Sequence, residues 1–445
     1  MKSDRALPAT LPIVNYAAPL GAAGIYLFAF SLWLSTAGAH IGLGLMLLAT
    51  LADANRRTAL WRDPLLWLAA LFAVYLAVYV GIAALTDPSA TESIYDAAWM
   101  WLKPLAVLLL VAVWLGGDEK RVGLALGLAL LGLAIRVILE TKATGIATFL
   151  KGSRSGFGFE PILFGLFAAT GLHGLLVLAP RLFSLARGRV ALVTLFACWL
   201  VVLAIVAQAL VVSQTRNAWL SVLLVYPITL GIALAASARR SLQRSSWIRV
   251  APAIMLAVAV AAVVTVHNWS TIKTRVTAEP SAWHAIIHGE IDNVPDGSIG
   301  ARLRLWELAV DKWLERPVFG WGPQSSNELI KQSNDPHIQS FSHFHNTYYE
   351  FVVELGLVGA ALLVIGAIRI GRTLIEAWRR HIMPLDYALY AIGGIGLLMI
   401  SSLSDFIVWA TTWKLHFGML TAIVYGYHYR LAAGRAPAHR APIHL

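Results

Sequence analysis

The sequence contains almost no cysteine and lacks several common catalytic motifs. Cys198 is the only cysteine among 445 residues, so the chain can form neither an internal disulfide nor a cysteine metal cluster. Neither a P-loop nor a Gly-x-Ser-x-Gly turn occurs. The closest pair to an Asp-x-Asp metal site is Glu290 and Asp292, in a stretch rich in Gly, Asp and Pro that is typical of a turn. The sequence therefore predicts no metal and no cofactor.

Charged residues are also scarce, at 13% of the chain, whereas hydrophobic residues make up 58%. A soluble protein of this length could not bury so much apolar surface. Apolar runs long enough to cross a bilayer recur along the chain, so we predict an all-α integral membrane protein with about 12 transmembrane helices. The predicted spans are 14–34, 37–52, 64–86, 98–116, 121–139, 158–179, 190–212, 217–237, 249–267, 346–367, 384–402 and 406–427.

Basic residues are concentrated in alternate connectors between these spans. Arg56, Arg181 and Arg379 are examples, and the positive-inside rule makes their connectors cytoplasmic. Both termini are then cytoplasmic, and the one long connector lies on the periplasmic side of an inner membrane. A net charge of +11 would also suit nucleic-acid binding, but the basic residues are scattered and form no groove, so no nucleic-acid partner is expected.

The spans divide the chain into four predicted segments. Residues 1–266 hold the first nine helices and 267–344 form a periplasmic loop domain with short helices. Residues 345–430 hold the last three helices, and 431–445 form a cytoplasmic tail.

Three basic residues, Lys103, Arg136 and Lys414, fall within the outer halves of predicted spans, with Lys414 the deepest. A charge inside a membrane is costly and suggests a site for an anionic group. The alternative is that these side chains extend to the interface.

His345 and Asn346 lie where the long loop meets the following span. The dipole at a helix N-terminus disfavours an imidazolium, which keeps a histidine neutral and suited to act as a general base. Asn346 is predicted to cap that helix, and Gly356 with Gly359 to admit a neighbouring helix. The other loop histidines, such as His343, are interpreted as solvated or hydrogen-bonded side chains.

Three further basic residues stand in connectors on the predicted periplasmic side. Arg216 is the only charge in the tight turn between the seventh and eighth spans. Lys151 and Arg154, flanked by glycines, could bind phosphate through side-chain charge and free backbone N–H groups. The alternative for this pair is a flexible, solvated loop.

The long loop contains a further pattern, in which an arginine is followed after three residues by tryptophan and then by Pro-x-x-Gly-x-Gly. Its members are Arg302, Trp306, Pro317, Gly320 and Gly322. Arg304 lies two residues from Arg302 on a predicted helix, hence on another face, and is interpreted as structural.

These motifs together resemble the bacterial O-antigen ligase family and its wider group of O-antigen polymerases. The most specific feature is His345-Asn346 followed by nine residues and Gly-x-x-Gly. Family members often have His before and Asn after a proline at an earlier span, whereas Glu160 and Ile162 flank Pro161 in this chain. That departure weakens any transfer of role to these two positions.

The resemblance implies a GT-C-type membrane glycosyltransferase. Such an enzyme moves O-antigen polysaccharide from an undecaprenyl diphosphate carrier to lipid A-core, with inversion and without a metal. His345 matches the family's essential histidine, and Arg216 and Arg302 match its functional arginines. We expect these arginines to bind the donor diphosphate, with Arg154 and Lys151 as further contacts.

Three other functions remain open at this stage. An O-antigen polymerase would use a second carrier-linked glycan as acceptor, and a protein O-oligosaccharyltransferase would use a Ser or Thr side chain. A transporter or flippase would also place charges within spans, but the chain shows no internal repeat of the kind typical of transporters. The sequence does not identify the acceptor.

Overall fold

A computed structural model describes residues 16–239, 244–290 and 294–434, and within these ranges the chain is helical and contains no strand. In chain order the helices are α1 (Ala17–Ser31), α2 (Thr36–Ala52), α3 (Ala54–Trp61), α4 (Pro64–Thr86), α5 (Thr91–Leu115), α6 (Glu119–Thr144), α7 (Ile146–Leu150), α8 (Pro161–Val177), α9 (Ala179–Ser184), α10 (Arg189–Val212), α11 (Arg216–Arg239), α12 (Arg244–His267), α13 (Trp269–Val276), α14 (Pro280–Ile287), α15 (Ser298–Glu315), α16 (Ser325–Lys331), α17 (Thr347–Arg379), α18 (Leu385–Ser401) and α19 (Thr411–Gly434). Most of the predicted cytoplasmic tail, 435–445, lies outside the described residues, as do the first residues of the first predicted span and Asp292.

Six of the described helices are long and apolar enough to cross a membrane, and two bent helix pairs raise this number to eight. The bent pairs are α2 with α3, at 96°, and the second half of α12 with α13, at 75°. Helices α1, α8 and α18 are also apolar but shorter. The prediction of an all-helical, multi-pass membrane protein is confirmed, whereas the number of about 12 spans stays a prediction.

The end of the helical bundle opposite His345 is held together by polar contacts. Arg181 forms a two-pronged ion pair with Asp386, with N–O distances of 2.5 and 3.0 Å. The buried carboxylate of Asp63 accepts hydrogen bonds from the hydroxyls of Tyr425 and Tyr429, at 2.6 and 2.7 Å. Such satisfied networks fix the relative positions of helices that are distant in the sequence.

A small hydrophobic core beneath the long loop fixes that loop to the first turns of α17. Its buried members come from α15, α16, the segment before α17 and α17 itself, and they are Leu305, Ala309, Leu329, Ile330, Ile338, Phe344 and Val353. The loop is therefore packed against the same helix end that follows His345.

Helix α17 is interrupted at Gly356, whose φ of +59° lies in the left-handed region. Residues 317–322 pair with the backbone on both sides of this break, and Leu357 N–H donates to Pro317 O at 2.9 Å. The prediction that Gly356 admits a neighbouring helix is wrong, because the neighbour is this non-helical segment. A Cβ on Gly356 would lie 2.5 Å from the carbonyl oxygen of Val318. Only glycine fits both the backbone angle and the space.

The connector between α18 and α19, residues 402–410, is not helical. Its apolar members Phe406, Ile407 and Val408 are buried, and a hydropathy pattern does not distinguish buried coil from helix. Helix α19 begins at Thr411, so the predicted span 406–427 is helical only from that residue, and the depth of Lys414 in a membrane stays a prediction. Lys414 lies in the first turn of that helix.

We expect Gly356→Ala to destabilise the protein by about 1–3 kcal/mol or more, because alanine is strained at this φ and its methyl group would collide with the 317–322 segment. Thermal unfolding of the purified protein in detergent measures the effect. Gly371→Ala is the matched control, since no atom lies within 4 Å of its added Cβ. Alanine is favoured over glycine in a helix, so this variant should be as stable as the original protein or slightly more so. Equal losses in both variants would contradict the prediction.

Candidate active site

His345 lies immediately before helix α17, and its backbone is held in an unusual conformation. Its φ is +49°, in the left-handed region that non-glycine residues adopt at a cost of about 1–3 kcal/mol. The following residue, Asn346, caps the helix by accepting from the N–H groups of Tyr348 and Tyr349, at 2.9 and 3.2 Å. The predicted cap is therefore confirmed. The Asn346 amide also donates to Leu403 O at 2.8 Å, which joins His345 to the connector 402–410.

A buried glutamate supports the same backbone from within the helix. Glu350 Oε2 accepts from the N–H of Phe344 at 2.9 Å, one residue before His345. Thr347 N–H donates to Ser402 O at 2.9 Å, on the other side of His345. A strained backbone conformation persists only where several contacts hold it, and these contacts hold the backbone of His345.

The side chain of His345 faces a buried carboxylate. His345 Nδ1 lies 3.2 Å from Asp405 Oδ1, and only 4% of Asp405 is exposed. Burial raises the pKa of Asp405, but the hydrogen bond and charge of His345 and the charge of Arg302 outweigh burial and bring the pKa below its ordinary value. An ionised Asp405 favours the tautomer with hydrogen on Nδ1, which leaves Nε2 free to accept a proton.

His343 packs against His345 and is neutral. The two rings are 4.2 Å apart between centroids. Burial, and next the neighbouring charge of His345, lower the pKa of His343 well below its usual value. At neutral pH this ring therefore adds no positive charge beside His345.

The two arginines predicted from the sequence are brought together by one carboxylate. Arg216, the first residue of α11, places Nη2 3.1 Å from Glu279 Oε1. The other oxygen of Glu279 accepts from the N–H of Ile299 at 2.9 Å, at the start of the helix that carries Arg302. Burial raises the pKa of Glu279, but the hydrogen bonds from Ile299 and Arg216 and the charges of Arg216 and Arg302 bring it below its ordinary value, so its carboxylate is ionised.

Arg302 connects Arg216 and Glu279 to the histidine. Its Nε donates to Ser404 O at 3.1 Å, next to Asp405, and its Nη1 donates to both oxygens of Ser298. Burial lowers the pKa of Arg302, and the charge of Asp405 opposes that effect. Arg302 and His345 thus share Asp405 as an electrostatic neighbour.

Two more arginines, Arg275 and Arg154, lie near Arg216, and we call these two with Arg216 and Arg302 the arginine group. Arg275, on α13, donates through Nη2 to the carbonyl of Gln214 at 3.1 Å, two residues before Arg216. Burial lowers its pKa first, followed by the charges of Arg154 and Arg216. Arg154 is therefore near Arg275, and its predicted contact with the donor diphosphate stays a prediction. Lys151 is exposed, and no contact of its side chain is seen within the described residues, so its role stays a prediction.

A cavity of about 380 Å³ opens beside the histidine. Its lining includes His343, His345, Asp405, Glu160 and Trp409. Burial and the charge of Asp405 raise the pKa of Glu160, and Arg154 and His345 partly offset that rise. Glu160, at which this sequence departs from the family pattern, therefore borders the site.

Sequence reasoning missed Asp405 and Arg275. Asp405 is the only acidic residue of a tight connector between two apolar runs, which is the same signal that singled out Arg216. Arg275 has no such signal, because the loop that carries it contains many charges. Arg304, predicted to be structural, pairs with Asp296 at 2.6 Å and Asp335 at 3.6 Å.

Residues 199–364 of the chain match the family model described as O-antigen ligase. The match begins in α10 and ends in α17, and it includes Arg216, Arg302 and His345. Lys151, Arg154 and Asp405 lie outside it. The family resemblance seen in the sequence is confirmed over this range. No curated protein matches the chain significantly.

His343, His345 and Asp405 could also hold a metal ion, because one ligand atom from each lies within 4.8 Å of the others. The charge of Arg302 acts on both His343 and Asp405, however, and a divalent cation would be repelled by it. A site without a metal is therefore favoured.

We expect the purified protein to retain no stoichiometric metal after dialysis and to bind neither Zn²⁺ nor Mn²⁺ tightly. Elemental analysis and calorimetric titration measure these quantities directly. A comparison of the original protein with His343→Ala corrects for binding elsewhere on the chain. One equivalent of metal that is present in the original protein and absent from this variant would overturn the prediction.

Proposed function

Because this chain contains an O-antigen ligase family domain over residues 199–364, we propose that it is an O-antigen ligase. It would transfer O-antigen polysaccharide from undecaprenyl diphosphate to lipid A-core as a GT-C-type inverting glycosyltransferase. One observation carries the proposal: the dyad of His345 and Asp405 lies beside Arg216 and Arg302 at one end of an apolar helical bundle. A base next to a phosphate-binding site is what glycosyl transfer from a lipid diphosphate requires.

In the proposed reaction, His345 Nε2 accepts the proton of the acceptor hydroxyl as its oxygen attacks the anomeric carbon of the donor. The bond from that carbon to the diphosphate oxygen breaks on the opposite face, and its electron pair leaves with the diphosphate. Attack opposite to the leaving group inverts the anomeric configuration. Asp405 orients the imidazole and stabilises the imidazolium that forms.

The arginines would stabilise the charge that develops on the departing diphosphate. Arg216 has one nitrogen, Nη1, that is buried and has no hydrogen-bond partner among the described residues. A buried, unpaired donor is costly, and a phosphate oxygen would satisfy it. Arg302, Arg154 and Arg275 add positive charge, and the planar guanidinium matches phosphate oxygens. No metal would then be needed for this step.

The reaction would take place on the periplasmic face of the inner membrane. The support is the distribution of basic connectors, which under the positive-inside rule places the opposite end of the bundle in the cytoplasm. Arg56, Arg181 and Arg430 lie at that opposite end. The carrier's polyprenyl tail would lie between helices in the outer leaflet.

Deletion of the gene should remove O-antigen from lipopolysaccharide while carrier-linked O-antigen accumulates. Gel analysis of the lipopolysaccharide measures this. The intact gene should restore capping, meaning the attachment of O-antigen to lipid A-core, whereas the His345→Ala gene should not. The exposed His337→Ala is the matched control and should restore capping.

Different results would identify the other candidates. Capping by single units with loss of long chains would indicate a polymerase, and intact lipopolysaccharide with loss of protein glycans would indicate a protein O-oligosaccharyltransferase. Substrate transport in the absence of any glycan transfer would indicate a transporter or flippase.

Asp405→Asn is expected to reduce kcat by about a hundredfold or more, because an amide neither stabilises the imidazolium nor selects the productive tautomer. The KM values for donor and acceptor should change little, since Asp405 is proposed to act through His345. Steady-state glycosyl transfer by the reconstituted protein measures both quantities. Asp296→Asn, which changes an exposed acid in the long loop, is the control. An equal kcat in the two variants would exclude a positioning role for Asp405.

A further inference from the structure

A second group of basic side chains lies beside the cavity and outside the arginine group. Lys103 of α5 and Lys414 of α19 lie on two helices that pack against each other, near enough for their charges to interact. Lys103 Nζ lies 2.8 Å from His40 Nε2 of α2. We call Lys103, Lys414 and His40 the lysine cluster. The three come from helices that are far apart in the sequence, so their meeting is a property of the fold.

The lysine cluster has no compensating negative charge within the described residues. Neither lysine forms an ion pair there, and Lys414 donates instead to the carbonyl of Trp409 at 2.8 Å. Lys414 is only 6% exposed. Lysines inside a membrane protein normally pair with a carboxylate or mark a binding site, because an uncompensated buried charge is costly.

The position of Lys414 in the first turn of α19 adds to the positive potential. The N-terminus of a helix carries a partial positive charge and unpaired N–H groups, so a cation is disfavoured there and an anion is favoured. The helix end and the two lysines therefore favour the same kind of ligand, an anion.

The lysine cluster lies near both the cavity beside His345 and the exposed surface of the helical bundle. Met100, one turn before Lys103, and Trp409, whose carbonyl binds Lys414, both line the cavity. On the other side His40 is exposed, and Trp99, one turn from Lys103 on the same helix, is 43% exposed. A ligand at the cluster can thus be anchored in lipid and still reach the cavity.

We propose that the lysine cluster binds a phosphate group of the lipid-borne acceptor and so places the acceptor hydroxyl at His345. This inference rests on the proposed function and adds an acceptor subsite to it. The donor diphosphate is already assigned to Arg216 and Arg302. Arg302 contacts the connector 402–410 at Ser404, whereas Lys414 contacts it at Trp409. The arginines and the lysine cluster therefore contact the connector 402–410 at two different positions.

The test compares lipid A-core that carries its phosphate groups with the same acceptor after phosphatase treatment. Glycosyl transfer from undecaprenyl-diphosphate-linked O-antigen is measured with the full protein in lipid vesicles. For the phosphorylated acceptor, Lys103→Gln and Lys414→Gln should each raise the acceptor KM about tenfold or more, because each removes a charge-assisted hydrogen bond. The donor KM should not change.

Phosphatase treatment should raise the acceptor KM of the original protein by a similar factor, and the two substitutions should then have no further effect. Lys103→Arg keeps the charge and should retain most of the affinity. Lys120→Gln, which removes an exposed lysine at the opposite end of the bundle, should behave like the original protein.

The comparison made with the original protein needs no variant and therefore does not depend on the folding of the glutamine variants. If this protein uses both acceptors with equal KM, the phosphate subsite is wrong while the ligase function stands. If it glycosylates neither acceptor, the proposed ligase function itself is wrong. An equal rise in KM for both acceptors in the lysine variants, or a rise in donor KM, would also overturn the subsite.

Discussion

The pairing of residues 317–322 with the break in α17 is the constraint on which the site depends. The break at Gly356 frees main-chain groups that would otherwise lie within a helix, and the long loop binds them through its own backbone. Tyr75 of α4 donates to one of the freed carbonyls, Leu355 O, at 2.7 Å. Main-chain pairing fixes the loop in register, so α15 and its Arg302 are held at a set position relative to His345.

The active end of the molecule is organised by a few acidic side chains among many positive groups. Asp405 faces His345 and Arg302, Glu279 links Arg216 to the start of α15, and Glu350 holds the backbone before His345. Asp405 and Glu279 each make a second contact to the backbone, by accepting from the N–H of Phe406 and of Ile299 respectively. The excess of positive charge that remains suits anionic, lipid-borne substrates.

Several features of this arrangement were predictable because their signals are local. Apolar runs predict helices, an isolated charge in a tight connector singled out Arg216, and a His-Asn motif at the end of the long loop singled out His345. Two predictions failed where the signal is ambiguous. The apolar run from Phe406 was interpreted as helix but forms a buried connector, and Gly356 was assigned to helix contact but breaks the helix. Composition alone does not separate these cases.

The sequence by itself determined that the chain is helical and spans a membrane, and its motifs marked His345, Arg216 and Arg302. These properties follow from composition and from short patterns along the chain. Only the tertiary structure decided that Asp405 faces His345 and that Lys103 and Lys414 lie on helices that pack against each other. Such pairs join residues on separate helices, and their proximity depends on how those helices pack, which no local pattern in the chain encodes.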